Sequence, residues 1–223
     1  MLYTFGDSFS VDKKTDQGNV ITAWPKILGD MLGVPVDNRS SIAGNNWRTA
    51  RILNSLSLTP DDIIVIAWAD NLSFEFGVNA NYIDSEENGN YPDLLLDKQG
   101  DIVTKKYFKY LPGLTTDPNY KILSELAYTH FFNEEWYREM FRIMFQSCVY
   151  TLEKSGCNWL MFNTWRPWKN TAVPGYVNTP HYIYPEGSIC TLMGIEPRPR
   201  YINQEETHQL AQLLFNRFND ASI

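Results

Sequence analysis

Short apolar runs alternate along the chain with segments whose apolar residues recur every three or four positions, the pattern of βαβ units around a mostly parallel sheet. Strands are predicted over 2–5, 34–38, 62–68 and 159–162. The third carries Ile63-Ile64-Val65-Ile66, an unbroken apolar run that suits a strand buried on both faces. Helices are predicted over 23–32, where Trp24, Ile27, Leu28, Met31 and Leu32 share a face, and over 46–56, where Trp47, Ala50, Ile52 and Leu53 do. Gly33 stands where the first helix needs a C-cap. The strongest helical pattern covers 133–154 and is closed by Ser155-Gly156; a last amphipathic helix begins near Asn203 and carries Leu210, Ala211, Leu213, Leu214 and Phe218. Two stretches break the pattern, near 79–118 and 166–200, and both keep apolar and aromatic residues. They are expected as insertions at the rim of a single domain covering 1–223, where an α/β sheet puts its ligand site.

Composition narrows the function. Lys+Arg number 19 against Asp+Glu 26, a net charge of −7, and the basic residues are scattered, which argues against a surface that neutralises many phosphates. Nucleic acid is therefore an unexpected partner. No run approaches the about 20 apolar residues of a membrane span, and Met1 leads into Leu2-Tyr3-Thr4-Phe5 without a basic segment and apolar core. The expectation is a cytoplasmic protein with no membrane partner. Cys148, Cys157 and Cys190 have no metal-ligand or disulfide spacing, and no phosphate loop, HExxH or dense His/Asp/Glu cluster is present, so no metal is expected. Nothing in the sequence speaks to oligomeric state.

The sharpest local signal is Phe5-Gly6-Asp7-Ser8-Phe9-Ser10, directly after the first strand. A serine there sits in the turn at the carboxyl edge of the sheet, partly exposed, with backbone N–H groups beside its hydroxyl, as a nucleophile requires. Ser10 occupies the position of the second Gly of a GxSxG elbow, so that motif is absent. Gly-Asp-Ser also occurs as plain turn chemistry; its place after the first apolar strand is what gives it functional weight.

This block resembles the first block of the SGNH (GDSL) hydrolase family. The resemblance implies a flavodoxin-like three-layer α/β/α fold, hydrolysis of an ester or acyl bond, and no cofactor. Gly44 in Ser41-Ile42-Ala43-Gly44-Asn45-Asn46 resembles the second block, whose Gly N–H joins the oxyanion hole, and Asn45 or Asn46 either caps the next helix or faces the pocket. The third block, Gly-x-Asn-Asp in the family, falls on Ala67-Trp68-Ala69-Asp70-Asn71, so Ala69 stands at the Asn and Asn71 is the nearest substitute donor. Trp68 followed by Phe74-Glu75-Phe76 resembles a phage-type branch of the family.

For the fourth block, Asp-x-x-His, three histidines are available. Glu205 and His208 reproduce the acid-x-x-base spacing, the carboxylate fixing the tautomer and the ring taking the Ser8 proton. In a second register His208 matches a later His of the family and the catalytic positions become Pro199 and Ile202, so the triad is lost unless His181, in the Pro-rich rim loop, supplies the base; His130, among Phe131 and Phe132, reads as structural. Glu205 and Glu206 also read as first-turn carboxylates of a helix capped by Asn203. Trp165-Arg166-Pro167-Trp168, with Tyr182 and Tyr184, could grip a sugar or an acidic group at the same edge.

The expected function is a serine esterase acting on a small-molecule or carbohydrate ester. Ser8, His208 and Glu205 are its catalytic residues, Gly44 and Asn71 its oxyanion donors, and Asp7, Asn46, Trp165 and Arg166 its substrate contacts. The alternative is a catalytically degenerate SGNH-fold domain with a structural or ligand-binding role.

Overall fold

A computed structural model describes residues 1–14, 17–41, 46–69, 74–78, 106–110, 134–164, 180–183, 187–195 and 202–220. The elements in order are β1 (Leu2–Phe5), a 3₁₀ turn (Ser8–Ser10), β2 (Lys13–Lys14), β3 (Val20–Ile21), α1 (Trp24–Leu32), β4 (Val36–Asn38), α2 (Asn46–Leu53) and β5 (Ile63–Trp68). They continue with β6 (Phe74–Val78), β7 (Lys106–Tyr110), α3 (Glu134–Ser155), β8 (Asn158–Asn163), β9 (Tyr182–Ile183), α4 (Ile189–Leu192) and α5 (Gln204–Asn219). The chain forms two compact units, Met1–Asp70 with Arg142–Ile223, and Asn71–Phe141.

In the first unit, five strands among the described residues pair in the order β4-β1-β5-β8-β9, every neighbouring pair parallel. By position in the sheet this is 2-1-3-4-5, the flavodoxin-like order, with its switch point between β1 and β5. The register sorts side chains by face. Leu2, Val65, Ala67, Leu160, Phe162 and Ile183 join Trp24, Ile27 and Leu28 of α1 and Leu210, Ala211 and Leu214 of α5 in one buried cluster. Trp24 meets Phe162 edge-on at 5.7 Å. On the opposite face Trp68 and Tyr182 each lie 5.6 Å from Phe145 of α3, and the Trp68 indole N–H donates to Met161 Sδ. Beside α3 runs α2, tied to it at Asn54, whose side chain donates to Ser147 Oγ and accepts from Thr151 Oγ1. Helices on both faces of a parallel sheet make a three-layer α/β/α sandwich: the apolar runs led to the parallel sheet, and the SGNH resemblance implied the three layers.

Local chemistry sets the ends of the helices. Gly33 takes φ +68° and its N–H donates to the Asp30 carbonyl, so a side chain there would be strained. At α5 the Asn203 side chain accepts from the Glu206 N–H while the Glu206 carboxylate accepts from the Asn203 N–H, a reciprocal capping box. The short strands β2 and β3 pair antiparallel immediately after the Ser8 turn. In the second unit β6 and β7 pair antiparallel, Phe76 opposite Phe108; β6 ends just before the stretch expected as an insertion near 79–118 and β7 lies within it, and the rest of that stretch lies outside the described residues. No helix among the described residues is long and apolar enough to cross a membrane.

Candidate functional site

The carboxyl ends of β1 and β5 flank the switch point, and the chain leaves β1 there through Gly6, Asp7 and Ser8. A Cβ at Gly6 would stand 2.6 Å from Ser10 Oγ and 3.1 Å from Ala67 Cβ, so only glycine lets the turn approach the neighbouring strand. Asp7 caps the 3₁₀ turn, its carboxylate accepting from the Phe9 N–H at 2.8 Å. Ser10 is buried and accepts from the Trp24 indole N–H at 3.1 Å. Between these anchors Ser8 is half-buried, and no described side chain hydrogen-bonds its hydroxyl. Exposure and a held backbone are both present at the expected nucleophile.

Two further loops reach the same edge. After β4 the chain runs along β1: the Arg39 N–H donates to the Thr4 carbonyl and the Ser41 N–H to the Gly6 carbonyl. After β5, Ala69 is held by Asn46, whose Oδ1 accepts from the Ala69 N–H at 2.9 Å while its Nδ2 donates to the Ala69 carbonyl at 3.2 Å. Asn46 is 2% exposed. It therefore clasps two loops and is not a substrate contact, and the Ala69 amide is engaged inside the protein. Asp7 likewise serves as a turn cap. Gly44, Asn71, Trp165 and Arg166, along with His130, Trp168, Tyr184 and Pro199, lie outside the described residues.

The expected base is not assembled. His208 is exposed on α5, and its Nδ1–H donates to the Gln204 carbonyl four residues back at 2.8 Å. Glu205 is exposed too, and no hydrogen bond or ion pair joins it to His208, which corrects the expectation that Glu205 fixes the ring. Helix direction explains the geometry. The N-terminus of α1 is tied to the Ser8 turn by Trp24, and the Gln204 side chain, at the start of α5, accepts from the Thr22 N–H at 2.8 Å. Both helices thus begin at the carboxyl edge, and His208 lies one turn further on, about 6 Å along the axis.

His181 is no substitute. Tyr182 pairs with Met161, in the row of Phe5, which sets His181 a row nearer the amino ends of the strands. Its Nδ1–H donates to the Trp159 carbonyl at 3.0 Å and its ring stacks at 4.3 Å on Trp159, a residue two rows nearer the amino ends of the strands than Met161. Tyr182, expected beside a ligand, is buried with its hydroxyl donating to Asn163 Oδ1 at 2.7 Å, and burial pushes its phenol well above the ordinary range. Ile202, at the alternative base position, is 3% exposed and belongs to the core cluster with Phe9 and Cys190.

Electrostatics near Ser8 are mixed. Burial lowers the Lys13 ammonium, opposed by the Asp7 carboxylate. Burial pushes the Cys190 thiol up to about 11, and the carboxylates of Glu206 and Asp7 add to the rise. Sequence reasoning missed Asn38, whose side chain reaches the Ser8 turn; its only signal was an amide-bearing residue at the end of a predicted strand. Compared with protein-family models, with curated proteins and with solved structures, the chain finds no match.

Proposed function

We propose that this chain is an SGNH-type domain that binds a small ligand, of the ester or carbohydrate-ester class, beside Ser8 at the carboxyl edge of its sheet, without serine–histidine turnover. The observation that carries the reading is the state of His208. A triad needs an imidazole oriented by an acid and aimed at the serine; this ring is exposed, bonded to its own helix and separate from Glu205. Two further facts support it. Ala69 stands where the family carries its side-chain oxyanion donor and has no donor in its side chain, and its backbone amide is engaged by Asn46. Ile202, where the second register puts the base, offers only hydrocarbon to its surroundings. Loss of one oxyanion donor alone costs about 10²–10³ in rate.

A second reading, ester hydrolysis by Ser8, is favoured by the half-buried serine in its capped turn. Hydrolysis of p-nitrophenyl acetate separates the two. Binding without turnover predicts that the protein hydrolyses the ester no faster than its Ser8→Ala variant and that His208→Ala changes nothing. Hydrolysis lost in Ser8→Ala would overturn the binding reading and make the chain an esterase.

A further inference from the structure

The described residues bring three segments to one exposed side chain at the end of β4. Asn38 Oδ1 accepts from the Thr4 hydroxyl at 2.9 Å and from the Ser40 N–H at 3.0 Å, while its Nδ2 donates to the Ser10 carbonyl at 2.7 Å. One amide thus joins β1, the loop after β4 and the turn that carries Ser8. An asparagine amide offers two acceptor lone pairs and two donors, so three of its four bonding positions are filled. That is a large share for an exposed residue. The bond to Ser10 is the informative one. Ser10 closes the turn on its far side, its N–H donating to the Asp7 carbonyl and its hydroxyl accepting from Trp24. Asn38 is therefore the link from the edge strand to the segment whose backbone sets where the Ser8 hydroxyl points, and the same side chain orients the loop whose Ser41 N–H meets the Gly6 carbonyl.

From this geometry we infer that Asn38 is a positioning residue for the Ser8 site, fixing the serine turn against the loop after β4. The inference rests on the reading of this edge as the ligand site. Its test needs no turnover and no known ligand. The thiol introduced by Ser8→Cys is the probe, because Cys148, Cys157 and Cys190 are buried and burial raises all three thiols above their ordinary range. Its alkylation by iodoacetamide, followed over a pH series, reads both access and thiolate fraction at position 8. Adding Asn38→Ala is expected to change the rate at fixed pH by about threefold or more and to displace the pH profile, since both depend on the immediate surroundings. Asn38→Asp keeps the acceptor for Thr4 and Ser40 and loses the donor to Ser10, so it must act in the same way. Asn54→Ala, which removes the contacts to Ser147 and Thr151, must leave the profile where it was. Profiles that superimpose on the parent in either Asn38 variant, or an equal displacement by Asn54→Ala, would overturn the assignment. Neither result bears on whether the native serine turns over an ester, which the acetate assay decides separately.

Discussion

At Gly6 a single hydrogen atom decides whether the Ser8 turn can form. The turn folds back so closely that Ser10 Oγ and Ala67 Cβ crowd the space a methyl group would need. Gly6→Ala must push the turn off the sheet, displace Ser10 from Trp24, or both. Overpacking of this kind costs about 1–3 kcal/mol, so the variant is expected to melt measurably below the parent in a thermal scan; an unchanged midpoint would show that the turn moves freely. The serine itself was legible in the sequence, because a Gly-Asp-Ser directly after the first apolar run has to lie at the carboxyl edge. The partners of Asn38 and Asn46 were not. Each joins segments distant in the chain, 28 residues to Ser10 and 23 to Ala69, and no local pattern encodes such a contact.

Among the elements, α5 shows how a cap settles chemistry. With Asn203 as N-cap and Glu206 answering it, Glu205 and His208 fall inside the first two helical turns. The acid-x-x-base spacing seen in the sequence then becomes an ordinary i, i+3 relation on an exposed helix face. The His208 ring folds back to a carbonyl one turn earlier, toward the helix N-terminus as helical side chains do. Removing the cap with Asn203→Ala is expected to cost about 1 kcal/mol, read as a lower denaturation midpoint in urea; no loss would mean the helix end is held by packing alone. Strands β1, β5 and β8 and the long helix α3 were readable because they carry extended apolar runs or a sustained helical period. Strands β2, β3 and β9 have two residues each and lack any such run. They form through pairing with neighbours, a tertiary effect that periodicity does not report.

At the scale of the molecule, the flavodoxin-like sheet delivers a serine to its switch point and binds the adjoining loops to it through Asn38, Asn46 and the Ser41–Gly6 bond. The same architecture runs α5 away from that edge, so its histidine recedes from the serine it was expected to serve. The parallel sheet and the place of Ser8 thus follow from the apolar runs and the Gly-Asp-Ser that ends the first of them, whereas the setting of His208 follows from where a helix starts. On the proposed reading Ser8 is held but not activated. Incubation with a fluorophosphonate, read by intact mass, tests that claim most directly: a nucleophile lacking its base gains no Ser8-dependent adduct, and the native protein and Ser8→Ala give the same spectrum. A stoichiometric adduct on the native chain that disappears in Ser8→Ala would show an activated serine and overturn the binding reading.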